Sequence, residues 1–173
     1  QKSHVNFLGM ELDENLDWSE HLKILRNKLS SSAFMMNSVK NLLPKTCMKT
    51  LYYGFFFSKL LYGIILWGPA AQKNHLSKIE RLQKRAIRSI SRSKLHAHTS
   101  PLFKSLEILK LDDIIEVEVL KFMHHLSTDN LPVPISDLFR QNIVEHTYDT
   151  RRRHDPAIRR RNFDQISKTI LCM

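Results

Sequence analysis

Leu51-Tyr52-Tyr53-Gly54-Phe55-Phe56-Phe57-Ser58-Lys59-Leu60-Leu61-Tyr62-Gly63-Ile64-Ile65-Leu66-Trp67 is apolar on nearly every side. A helix of that kind either lies at the centre of a bundle or spans a membrane. Length and charge decide between the two. The run has 17 residues, whereas a span needs about 20 apolar residues, and a central lysine such as Lys59 costs roughly 2.5–3.5 kcal/mol on insertion scales. The stretch therefore reads as the core helix of a bundle, begun after Pro44 and broken by Gly68-Pro69, with Gly54 and Gly63 permitting close packing.

On its N-terminal side, Ser19 reads as the cap of a long helix. Leu22, Leu25, Leu29, Ala33, Met36 and Val39 recur at steps of three and four, one buried stripe that runs until Pro44 stops it. Residues 5–12 alternate loosely and predict a short strand or hairpin, with Asp13-Glu14-Asn15 as the following turn. On the C-terminal side a third helix is expected over about 74–90, with Leu76, Ile79, Leu82, Ala86 and Ile90 as its apolar face. A fourth follows Leu111, with Asp113 as N-cap and Glu116 three residues on, a capping-box spacing, and with Ile115, Val119, Phe122 and Leu126 as its buried stripe. Pro132 and Pro134 interrupt the next stretch, and from Gln141 onward periodicity fades into Arg-rich text expected to be irregular or partly disordered. The fold class expected is mainly α: a helical bundle preceded by a short β-hairpin and followed by a helical connector with an irregular basic tail.

A chain of 173 residues with 42% hydrophobic content suffices for one domain or two small ones. Its formal charge of +10 favours a polyanionic partner. Placement says more than the total. Residues 73–94 hold eight cations against Glu80, and 151–173 hold seven against two carboxylates, while the block between them, 95–150, has four cations against nine carboxylates. Such alternation argues against indiscriminate coating of any polyanion.

The third helix concentrates that charge. Lys78, Arg81, Arg85, Arg88 and Arg92 fall at steps of 3, 4, 3 and 4, five cations on one face opposite an apolar one, with Lys84 beside them. Such a face repels itself unless an anion sits on it, and the charge pattern alone leaves two readings open, a solvated basic face and contact with a nucleic-acid backbone. The family resemblance that the hairpin carries favours the second. Arg151, Arg152, Arg153, Arg159, Arg160 and Arg161 form a second basic patch of low specificity, suited to RNA contact or nuclear import or simply to solvation.

Four blocks carry a family resemblance. Val5-Asn6-Phe7-Leu8-Gly9-Met10-Glu11-Leu12-Asp13 resembles the FLG or YLG block that closes the palm of non-LTR (LINE-type) retrotransposon reverse transcriptases. Leu61-Tyr62-Gly63 leading to Trp67-Gly68, then Glu80 to Ala86, then His98-Thr99-Ser100-Pro101-Leu102-Phe103, agree with that family in type and order. Tyr148-Asp149-Thr150-Arg151 resembles its downstream text, although the later Gly-Pro-x-x-Trp block and the zinc knuckle of some relatives are missing. The resemblance implies that Phe7, Leu8 and Gly9 form a primer grip, that a helical thumb packs against the template-primer duplex, and that the parent activity is RNA-directed DNA synthesis. It divides the chain into the end of the palm (1–18), a helical thumb (19–94) and a connector with a basic tail (95–173). The partners implied are a template-primer of RNA or DNA and the upstream palm of the same polypeptide, with no membrane. The alternative is a host-adopted, stand-alone helical module whose basic face docks an acidic protein.

The carboxylates that hold two divalent metals in the family lie in an aromatic-Ala-Asp-Asp turn, which this sequence lacks. Its Asp112-Asp113 pair reads as a helix start, so no catalytic residue and no cofactor is assigned here, and Mg²⁺ is implied only for the parent palm. His96 and His98, and His124 and His125, lack partner ligands at a recognised metal spacing. Thr99 or Ser100 reads as a cap before Pro101 at the first helical position. Cys47 and Cys172 are expected to be free thiols in a reducing intracellular compartment, nuclear or cytoplasmic. Gln1 opens the chain without an initiator Met or an apolar leader, so it reads as part of a longer protein without a signal peptide.

Overall fold

The computed structural model describes residues 4–128 and 130–136. It opens with an antiparallel hairpin, β1 (His4–Phe7) and β2 (Met10–Asp13), in which Val5 faces Leu12 and Phe7 faces Met10. Leu8 and Gly9 turn the chain, both at positive φ, 49° and 81°. That handedness suits a two-residue hairpin turn, because it matches the twist of the strands. Asn6 supports it: its Oδ1 accepts the Gly9 N–H at 3.3 Å and its Nδ2 donates to Glu11 Oε1 at 2.7 Å. At the far end Asp13 Oδ1 accepts the N–H groups of Asn15 and Asp17, the turn expected there.

Helix α1 (Ser19–Val39) buries Leu22, Leu25, Leu29, Ala33 and Met36 of the stripe read from the sequence, and Val39, its last member, is half-buried against the same core. Ser19 is its first residue rather than its cap. Trp18 occupies the cap position at φ 61° with no side-chain capping bond, and Asp17 Oδ1 accepts the Ser19 N–H at 2.7 Å. That backbone donor, with the Ser19 hydroxyl, holds the Asp17 carboxyl below the usual carboxylate range.

The apolar run is not one helix. It divides into α2 (Lys45–Leu51), a π-helix (Tyr52–Phe57), α3 (Ser58–Leu61) and α4 (Ile64–Trp67). One edge, Tyr52, Phe56, Leu60, Ile64 and Trp67, is fully buried, whereas Tyr53, Phe55, Tyr62 and Leu66 are exposed. The expectation of burial all round is thereby corrected: the segment lies in the core along one face only. Two causes are visible. In the π-helix the Ser58 N–H reaches back to Tyr53 O, and the Phe55 carbonyl lies 2.9 Å from Ser32 Oγ of α1, which also receives Lys59 Nζ at 2.9 Å. At Gly63 the backbone turns left-handed, φ 65°, and restarts as α4. Gly63 has no room for a Cβ, which would lie 2.6 Å from Met10 Sδ, but a Cβ on Gly54 would meet nothing within 4 Å among the described residues. The close-packing role assigned to Gly54 is therefore wrong.

Helix α5 (Lys73–Ser91) packs along α1 and buries Ile79, Gln83, Ala86, Ile87, Ser89 and Ile90; Leu76 and Leu82 are half-buried against the same core. Arg92 ends it at φ 51°. Helix α6 (Ser100–Leu106) follows a cap position held by Thr99, which makes no side-chain capping bond, so Ser100 precedes Pro101 within the first turn. Helix α7 is Leu111–Ser127. Asp113 is not its N-cap: it lies within the first turn and its Oδ2 accepts the Lys110 N–H at 3.3 Å, the backward-reaching half of a capping box.

Residues up to Glu116 form one compact unit, whose core runs from Trp18 to Ile115 and takes in Met10 and Leu12 of the hairpin. A Cβ on Gly68 would stand 2.5 Å from the Ile64 carbonyl oxygen and 3.0 Å from Ile115, so the glycine both closes α4 and lets it meet the start of α7. From Val117 a second unit begins; Val119 is buried, while Phe122 and Leu126 of the expected stripe are half-buried. A single turn, α8 (Val133–Ser136), follows Pro132, whose carbonyl accepts the Ile135 and Ser136 N–H groups. Among the described residues no helix is long and apolar enough to cross a membrane.

Candidate nucleic-acid interface

Two regions hold the residues singled out in the sequence. The first is the hairpin turn. Phe7 and Leu8 are exposed, as is Val5, so this end of the hairpin presents apolar side chains outward. The Tyr62 hydroxyl donates to the Leu8 carbonyl, and Trp67 Nε1 donates to the Tyr62 carbonyl at 3.0 Å. The turn is thus tied to the α3–α4 junction, and the Phe7-Leu8-Gly9 and Leu61-Tyr62-Gly63 blocks, more than fifty residues apart, meet in space.

A cavity of about 330 Å³ opens beside the turn, lined by Leu8, Gly9, His21, Lys28, Ser58, Lys59 and Tyr62 among others. His21 is buried. Its Nδ1 accepts the Glu11 N–H at 3.4 Å and its Nε2 has no hydrogen-bond partner among the described residues. Burial, helped by the Lys28 charge, pushes its pKa below the ordinary 6.5, so the ring is neutral near pH 7. Lys28, His21 and Lys59 were not singled out in the sequence as site residues. Lys59 had a signal, a lone cation in an apolar run; Lys28 had none.

The second region is the basic face of α5. Arg81 is exposed, and Lys78, Arg85 and Arg88 are partly so. Lys78, Arg81 and Arg85 make no side-chain hydrogen bond or ion pair among the described residues, whereas Lys84 pairs with Glu80 at 2.6 Å. The last two cations have structural duties. Arg88 Nε donates to the Ala97 carbonyl at 3.1 Å, pinning the loop that leads to α6. Arg92, beyond the helix, donates to the carbonyls of Lys40 at 2.9 Å and Leu43 at 2.8 Å, where α1 ends.

The remaining blocks support this arrangement from behind. Gln83, fully buried within the Glu80–Ala86 block, donates to the Tyr52 hydroxyl at 3.1 Å and to the Leu109 carbonyl at 3.0 Å. Burial raises the Tyr52 pKa to about 12. From the His98–Phe103 block, Phe103 enters the core and Thr99 is buried.

The chain is similar to curated polymerases of mobile elements. It is 30% identical over 125 residues to the RNA-directed DNA polymerase from mobile element jockey of Drosophila melanogaster, a match covering 70% of this chain and 13% of that protein. It is 25% identical over 130 residues to the probable RNA-directed DNA polymerase from transposon BS of the same species, covering 73% and 14%. The jockey polymerase of Drosophila funebris is 30% identical over 121 residues, covering 68% and 13%. This chain is a homologue of one segment of the non-LTR element polymerases. It spans about one-seventh of the length of the relatives it matches. No protein-family model matches it, and no solved structure does.

The Mg²⁺ implied for such a polymerase finds no carboxylate set in the described residues. Asp112 and Asp113 are exposed at the start of α7, Asp113 is engaged by Lys110, and no three potential ligands come together. His96 and His98 are exposed, and His124 and His125 lie side by side with ring centroids 6.2 Å apart. Cys47 is an exposed free thiol. Arg151, Arg152, Arg153, Arg159, Arg160, Arg161, Tyr148 and Cys172 lie outside the described residues.

Proposed function

We propose that this chain is the duplex-gripping thumb and connector segment of an RNA-directed DNA polymerase. In this reading Lys78, Arg81, Arg85 and Arg88 hold the phosphate backbone of the template-primer, and the Phe7-Leu8-Gly9 turn seats the primer end. One observation carries it: three cations of an amphipathic helix lack any protein partner among the described residues, in a chain homologous to such polymerases. Contacts of this kind position a duplex without reading its sequence. The hairpin would complete the upstream palm of the same polypeptide, where the Mg²⁺ ions would be held, in a nuclear or cytoplasmic setting.

The test is a salt titration. Anisotropy of a labelled RNA–DNA hybrid and of a B-form duplex is measured with the full chain and with the Arg81→Glu/Arg85→Glu variant. On the B-form duplex the slope of log affinity against log salt should flatten by about 0.9 per lost contact. Equal slopes for the two proteins would refute the assignment. Binding of an acidic protein without any duplex affinity would favour the stand-alone module.

A further inference from the structure

The ends of α1 and α5 border a cleft of about 390 Å³ lined by Asn37, Lys40, Arg85, Arg88, Ser89, Ser93 and Leu95. Three cations line this one space, and no carboxylate among the described residues does. The three ion pairs among the described residues, at Lys23, Lys84 and Lys121, involve none of its lining. Bringing like charges together without a counter-charge is unfavourable, so such a cleft is adapted to an anion.

Its surroundings point the same way. A helix C-terminus carries about half a negative charge on its free carbonyls and repels anions. Here that end of α1 is neutralised, because Arg92 covers the carbonyls of Lys40 and Leu43. Arg88 spends its Nε on the Ala97 carbonyl, and its Nη groups have no partner among the described residues. Lys40 Nζ donates to Asn37 Oδ1 at 3.0 Å, which holds the ammonium against another side chain of the lining. Ser89 Oγ is engaged with the Arg85 carbonyl. The two guanidinium groups, the ammonium, the Ser93 hydroxyl and an amide around one volume match the several acceptor oxygens of a phosphoryl group better than a single-point anion such as chloride.

We propose that this cleft is a seat for one phosphoryl group, held by Arg85, Arg88 and Lys40 with Ser93 at its side. The seat stands on its own geometry. Only the source of the phosphate, a nucleic-acid backbone or a free phosphorylated compound, rests on the function proposed above.

Inorganic phosphate is titrated into the full chain at constant ionic strength, replacing chloride, while NMR follows the Arg85 and Arg88 Nε–H signals and the Ser89 and Ser93 amides. Saturable shifts confined to this set are expected. Arg85→Gln and Lys40→Gln should each weaken phosphate about tenfold, the loss of roughly one charge-assisted hydrogen bond, and Lys23→Gln should leave it unchanged. Non-saturating shifts spread over all cations, or saturable shifts that survive both substitutions, overturn the proposal. Should Arg85→Gln unfold the chain, Lys40→Gln alone decides it by the same criterion. A second arm repeats the duplex titration with Lys40→Gln. Provided that phosphate saturates the cleft, weakened duplex binding identifies the backbone as the source, and unchanged duplex binding identifies a free phosphoryl compound.

Discussion

Arg92 and Arg81 are alike in sequence and opposite in predicted consequence. Arg92 makes two hydrogen bonds from one guanidinium to the Lys40 and Leu43 carbonyls and complements the end of α1. A bond to a charged donor contributes about 1.5–3 kcal/mol in a protected site, and exposure reduces this, so Arg92→Ala should cost about 1–2 kcal/mol. For a chain of this size that lowers the thermal midpoint by about 2–8 °C. Arg81→Ala removes an exposed side chain without a partner among the described residues and should change stability by less than about 0.5 kcal/mol. On B-form DNA the order reverses: Arg81→Ala flattens the salt slope by about 0.9, and Arg92→Ala leaves it alone. Differential scanning calorimetry and anisotropy titrations on the same preparations read both quantities. If Arg92→Ala melts with the parent chain while its salt slope falls, the division into structural and phosphate-facing cations is refuted.

Trp67→Ala and Phe56→Ala, both at fully buried positions, should each cost about 3–5 kcal/mol in urea denaturation; midpoints that barely move would place that edge at the surface. Gly63→Ala forces a Cβ against Met10 in a left-handed conformation and should cost about 1–3 kcal/mol, whereas Gly54→Ala should be neutral or stabilising, and equal losses would contradict the packing. His21 is neutral in the fold with its pKa depressed, so its share of stability is present above pH 6.5 and is lost as pH falls below that value toward the folded pKa; His21→Gln should flatten that limb of the stability–pH curve. With primed template, nucleotides and Mg²⁺, the chain should extend no primer, since its only Asp-Asp pair opens α7; extension abolished by Asp113→Asn would overturn that reading.

Periodicity is a strong signal where one face of a regular helix is buried. That is why the stripe of α1 could be read from the sequence almost residue by residue, while in α5 Ile79, Ala86 and Ile90 were legible and the buried Gln83 and Ile87 were not. It failed over residues 51–67 because local composition cannot show that Tyr53, Phe55 and Leu66 point away from the core: nothing local distinguishes a π turn and a left-handed glycine from continuous helix. Capping was misjudged by one to three residues at Ser19 and Asp113, since the same short polar residues serve at several positions around a helix start. The basic face was legible as a charge pattern. The division of labour within it was not, because the partners of Arg88 and Arg92 come from a loop and from the end of another helix. Lys40, likewise, joins the cleft only through the packing of α1 on α5.

The π-helix has a bearing on how homologous chains differ in length. A π turn is one residue more than an α-helix of the same span, absorbed locally so that the flanking turns keep their facing. Met48 before it and Leu60 after it both lie in the core. A homologue lacking one residue in this interval, most simply at Gly54, whose site is open, would close the turn into regular helix and still present the same two neighbours inward. A one-residue gap there in an alignment marks a retained core with a tightened turn, and the exposed aromatic positions beside it are where such chains are free to diverge.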